Sequence, residues 1–127
     1  MREILFRGKR TINGDWVYGD FVRGNERKSL RDSIFVYDSE TQSFNDYEIN
    51  PSTLGQYTGL KDKNGQQIWE GDILKFRDCG IYPVLWDADF FTFGSCWFSD
   101  FDPLYKYDRN KIEVIGNIHD NPELLEK

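Results

Sequence analysis

Two cysteines and one histidine in 127 residues exclude several kinds of chemistry at the outset. Cys79 and Cys96 are too few for the disulfide framework of a small secreted domain. With His119 they are the only soft donors, and their spacing matches no zinc finger or ribbon. A catalytic cysteine needs a partner base, and His119 is the single histidine that offers one. His119 itself stands beside Asp120 and Asn121, where a surface or cap residue is the plainer reading than a general acid–base. No apolar run approaches the roughly 18 residues of a membrane helix, and no basic-then-apolar leader opens the chain. No P-loop, GxGxxG, GxSxG or HExxH occurs, and there is no repeat or low-complexity tract. The sequence therefore predicts no cofactor, no metal, no catalytic residue and no membrane contact, in a protein of the cytoplasm.

Charge narrows the partners. The formal net charge is −6 and the pI about 4.7, and an acidic surface repels phosphate backbones. Arg2, Arg7, Lys9, Arg10, Arg23, Arg27, Lys28 and Arg31 nevertheless crowd the first third. We read them mainly as a solvated loop, with nucleic-acid binding as the minority reading.

What the chain has in quantity is aromatic rings. Phe, Tyr and Trp make up 17% of it, and each enclosed ring removes roughly 150–250 Å² from water. Phe90, Phe91, Phe93, Trp97, Phe98 and Phe101 follow one another closely. Strand alternation sets Phe91 and Phe93 on one face and Phe90 and Thr92 on the other. A core explains one face. Phe90, Phe91, Phe93, Trp97 and Phe98 are thus the candidate interface, because aromatic residues are enriched where proteins meet.

The pattern is one of short strands between turn signals. Residues 3–7 open a strand, Asn13-Gly14 turns it, and residues 15–22 return. Gly19 marks a bulge or the close approach of another backbone. Residues 24–33 are polar loop; 34–37 and 46–49 form a second hairpin. Asn50-Pro51-Ser52-Thr53 predicts a cap and at most one helical turn. Residues 56–76 organise the rest: Asp62-Lys63-Asn64-Gly65 is a strong turn signal, and Glu70-Gly71-Asp72 is a second, with Gly71 in a conformation denied to residues with a Cβ. Leu74 and Phe76 then share one face, with Ile112 and Val114 as matching inward positions on a last strand, 112–118. Between them we expect a strand at 81–86 that Pro83 confines to an edge, a turn at 87–89, two strands around Gly94-Ser95, and an irregular 100–109. Asn121 as N-cap and Pro122 at the first position predict a short terminal helix. About eight strands and one helix in a single domain, 1–127, indicate an all-β barrel or sandwich.

The run Tyr57-Thr58-Gly59-Leu60-Lys61-Asp62-Lys63-Asn64-Gly65, followed by Ile68-Trp69-Glu70-Gly71-Asp72-Ile73, resembles the signature of the YopX family, small proteins encoded by phages and prophages. The ends are similar too: Met1-Arg2-Glu3-Ile4 with Phe6-Arg7, and residues 114–125. Trp69 stands where the family leads us to expect Tyr. The resemblance implies a mainly β fold with an SH3-type barrel in the C-terminal part (54–120), an N-terminal β-hairpin lobe (1–50) and the short C-terminal helix. It brings no activity, cofactor or catalytic residue. Tyr57, Gly59, Asp62, Asn64, Gly65, Trp69, Glu70, Gly71 and Asp72 are accordingly expected to be structural.

Three functions follow for testing. The first is a non-enzymatic phage accessory protein of the bacterial host cytoplasm whose β surface binds a protein partner or itself. The alternative is a nucleic-acid-binding or DNA-mimic protein acting on host machinery. The third is a hydrolase using the carboxylates of Asp87-x-Asp89 and Asp100-x-Asp102, for which turn-forming Asp is the plainer reading.

Overall fold

The computed structural model describes residues 4–25, 27, 30–77, 80–87, 92–97, 100–104 and 108–126; for Asp87, 92–97 and 100–103 it describes the backbone alone. The fold is mainly β, with antiparallel pairing throughout. The chain divides into two compact units, Met1–Gln56 and Tyr57–Lys127.

In the first unit β1 (Phe6–Arg10) and β2 (Trp16–Val22) flank the Asn13-Gly14 turn. β2 pairs with β3 (Ser33–Asp38), and β3 with β4 (Ser43–Lys61). β4 then returns to β1, with Phe6 opposite Gln56 and Arg10 opposite Ile49. The ladder of hydrogen bonds therefore runs round all four strands, so each satisfies backbone groups on both edges. Gly19 makes that circuit possible: a Cβ there would lie 2.3 Å from the carbonyl oxygen of Phe35. Ile34 and Ile49 are fully buried here.

β4 overturns the expected helical turn at residues 50–53. Its 19 residues include Pro51, and the strand survives because β4 bulges there. Arg7 pairs with Gly55 but Lys9 with Asn50, so the extra residues, Pro51 among them, face no ladder partner on β1. Thr53 repairs the gap. Its hydroxyl accepts the Lys9 N–H at 2.8 Å and donates to the Asn50 carbonyl at 2.6 Å.

In the second unit the end of β4 pairs with β5 (Gln67–Trp69). One three-stranded sheet has the order β11 (Ile112–Asn117), β6 (Asp72–Phe76), β7 (Gly80–Pro83); another has β10 (Asp100–Pro103), β9 (Thr92–Trp97), β8 (Leu85–Asp87). Ile68, Leu74, Phe76, Val84, Leu104 and Ile112 form one buried cluster, with Leu60, Tyr82 and Val114 packed on it. Ile112 lies opposite Phe76 and Val114 opposite Leu74, the inward pairs that alternation predicts. Burying each such side chain stabilises by about 1.5–3 kcal/mol. Among the described residues no ladder closes round this unit.

Other expectations are corrected. The 81–86 strand is two, broken at Val84, with Pro83 ending the edge strand β7. Gly94-Ser95 is not a turn but lies inside β9, Gly94 paired with both β10 and β8 and Ser95 with β10. Residues 100–103, expected to be irregular, are a strand because β9 offers them an edge. The terminal helix is only a 3-10 turn, Pro122–Leu125, and Asn121 makes no side-chain cap bond to it. Its Oδ1 accepts the Asn117 N–H at 3.2 Å instead.

Candidate functional site

The motif of residues 57–73 builds two clamps on β11. The first is Asp62, whose side chain is fully buried. Its Oδ1 accepts the N–H groups of Asn64 at 2.8 Å and Gln66 at 2.9 Å, which fixes the turn at Gly65 (φ +78°). Its Oδ2 accepts the N–H of Val114 at 3.0 Å, and Lys63 N–H donates to the Ile112 carbonyl at 3.0 Å. Burial works against the charge on Asp62, but these three backbone donors outweigh it and hold the carboxyl below its ordinary value. An acid held ionised in this way is the opposite of a general acid with a raised pKa.

The second clamp is the corner at Gly71, where φ is +90°. Asp72 Oδ2 accepts the Trp69 N–H at 2.8 Å and closes the corner. Gly71 donates to the Val84 carbonyl at 3.0 Å, and Val84 donates back to the Asp72 carbonyl at 2.8 Å. The Gly71 carbonyl accepts the Ile118 N–H at 2.8 Å. One corner thus fixes both the break between β7 and β8 and the exit of β11. Thr58 and Tyr57 complete the frame. The Thr58 hydroxyl donates to the Ile68 carbonyl at 2.7 Å, and the Tyr57 and Trp69 rings lie 5.4 Å apart.

A cavity of about 300 Å³ opens beside this frame, lined by Tyr57, Gly59, Leu60, Ile68, Leu104 and Ile112, with Lys61 and Arg109. Such a lining suits an apolar group with a negative charge at its edge. The motif is therefore a scaffold that also walls a pocket.

A family model described as YopX protein matches residues 5–126. The chain belongs to the YopX family. The crystal structure of protein EF1440 from Enterococcus faecalis is similar to this YopX-family chain over 99% of its length and 100% of EF1440, at 24% identity and a TM-score of 0.60. That likeness shows the fold. No curated protein matches the chain.

The remaining sequence candidates are distributed as follows. Phe90, Phe91, Phe98, Cys79 and Asp89 lie outside the described residues. Phe93, Cys96 and Trp97 stand on β9, and Asp100 and Asp102 on β10, all by backbone alone. His119 N–H donates to Asn117 Oδ1 at 3.0 Å in the turn after β11. Among the described residues no three His, Cys, Asp or Glu gather to hold a metal, and no helix is long and apolar enough to cross a membrane.

Sequence reading missed two features. Ile81, Leu85 and Trp86, on β7 and β8, remain about 40% exposed (40%, 38% and 41%). Lys63, Lys75, Arg77, Asn110, Lys111 and Glu113 line a second depression of about 330 Å³. The first lay in a run taken wholly as a strand. The second is scattered along 51 positions and has no signature as a string.

Proposed function

We propose that this YopX-family chain is a non-catalytic accessory protein of phage or prophage origin, working in the bacterial cytoplasm as a β module that binds a protein partner or a second copy of itself. We read the Tyr57–Lys127 unit as its SH3-type barrel, since its core gathers side chains of β5, β6 and β11 with Val84, between β7 and β8, and Leu104, just after β10. The observation that carries the binding role is the exposure of Ile81, Leu85 and Trp86 on β7 and β8, each the terminal strand of its sheet among the described residues. A terminal strand with apolar side chains is open to pairing with another chain. The engagement of Asp62 and Asp72 in backbone bonds supports a non-catalytic reading, because both are occupied in holding turns.

Light scattering after size exclusion tests self-association, and affinity capture from host lysate tests a partner. The chain is expected to run heavier than its 15.0 kDa monomer, or to hold one defined partner. Leu85→Ser/Trp86→Ser is expected to abolish either association. A monomer that captures only background proteins overturns the reading.

A further inference from the structure

We propose that the outer face of the β6–β11 ladder, around Lys63, Lys75, Arg77 and Lys111, is a binding site for phosphate groups, carried either by single-stranded nucleic acid or by a free polyphosphate. The inference does not rest on the protein-binding role proposed above.

The register assembles the cluster. Glu113 lies opposite Lys75, and one step beyond the Ile112–Phe76 pair the Arg77 N–H donates to the Lys111 carbonyl at 2.9 Å. Alternation then sends Lys75 of β6 and Glu113 of β11 to one face, while Leu74, Phe76 and Ile112 fill the core on the other. Arg77, just after β6, and Lys111, at the end of the 3-10 turn Arg109–Lys111 before β11, line the same depression. The Lys63–Ile112 backbone bond brings the fourth cation alongside. Together with Asn110 these groups line the depression of about 330 Å³.

Among the described residues the charge in this depression is not balanced. The Glu113 carboxylate lies 2.8 Å from Lys63 Nζ. Among the described residues no carboxylate pairs with Lys75, Arg77 or Lys111. Asp108 is turned to the Asn110 N–H at 3.0 Å, and Asp62 is buried on its own turn. Like charges that line one depression repel one another, here in a chain that carries 22 carboxylates and only 16 Lys and Arg. A phosphate in the depression would turn that repulsion into attraction, with a planar guanidinium fork and point-charge ammonium groups as donors. The net charge of −6 opposes phosphates away from such a cluster, and contact through these cations is strongly salt-dependent.

The test is fluorescence anisotropy of a labelled single-stranded 20-nucleotide DNA, from low to physiological salt, with unlabelled tripolyphosphate as a separate titrant followed by NMR shifts. Three or four phosphate contacts predict a log–log salt slope of about −2 to −3 for the oligonucleotide. Lys75→Ala/Arg77→Ala/Lys111→Ala is expected to weaken binding at least about tenfold and to flatten the slope. Lys75→Arg/Lys111→Arg, which keeps the charge on exposed positions, is expected to retain binding and guards against loss by misfolding. Oligonucleotide binding identifies nucleic acid as the source; tripolyphosphate shifts at these residues without oligonucleotide binding identify a free polyphosphate. No binding of either at low salt, or equal binding by the triple alanine variant, overturns the proposal.

Discussion

The two units hold short strands together by different means. Among the described residues of Met1–Gln56, the buried apolar side chains are Ile34 and Ile49, beside the polar Arg7, Ser33 and Thr53. What that unit has instead is a hydrogen-bond ladder that returns to its first strand, and cations laid over rings. Arg7 lies 4.5 Å and Lys9 5.6 Å from the Trp16 ring, and Arg10 lies 4.7 Å from the Tyr47 ring. Each such contact contributes about 0.5–2 kcal/mol. In Tyr57–Lys127, Tyr57, Ile68, Trp69, Ile73, Leu74, Phe76, Val84, Leu104 and Ile112 are all buried, and among the described residues no ladder closes. A β unit with few apolar side chains to bury is held by completing its backbone bonds. One with many is held by its core and needs only local clamps to aim the strands.

Three substitutions sharpen or break this contrast. Asp62→Ala should have the largest effect. It strips three backbone N–H groups of their acceptor in a buried place and is expected to cost roughly 3 kcal/mol or more, read as a lowered urea midpoint. Because the Asp62 carboxyl is held below the ordinary 3.8, the unfolded chain binds more protons in that range. Its contribution is complete above that value and drains away as pH falls through the lower, folded value. The variant's acid-unfolding curve should accordingly be flatter than the parent's below about pH 4; parallel curves would show that Asp62 is not the group involved.

Gly19→Ala comes next, at about 2 kcal/mol, since the added methyl meets backbone that cannot swing aside. Hydrogen exchange should quicken in β2 and β3 and stay unchanged in β6 and β11; uniform quickening would show that the units are not separately held. Gly71→Ala should be the mildest, about 1 kcal/mol, because an added Cβ meets only ordinary contacts, 3.6–3.8 Å from His119 and Ile118, and the positive φ alone resists. A thermal midpoint unchanged in that variant would show that the corner relaxes freely.

Much of the second unit was legible in the sequence. Asn64-Gly65 and Gly71 announce their turns because few residues tolerate positive φ, and the pairing of Leu74 and Phe76 with Val114 and Ile112 follows from alternation. The first unit was less legible. Asn50-Pro51 looks like a helix cap in a string, and only the β1 register shows that Pro51 falls in a bulge. Gly94-Ser95 reads as a turn when neighbouring strands are unknown. The cationic depression depends on a register between residues 75–77 and 111–113, and no local pattern encodes it.

The bond from Asp62 to Val114 spans 52 residues. Until β11 arrives, the turn holds a carboxylate with one oxygen unanswered, and Lys63 lacks its carbonyl. During synthesis this unit therefore stays unfinished until β11 has cleared the ribosome. A product cut short before Ile112 would expose Leu74 and Phe76 to water and to degradation, so the YopX signature in effect checks that β11 has been made.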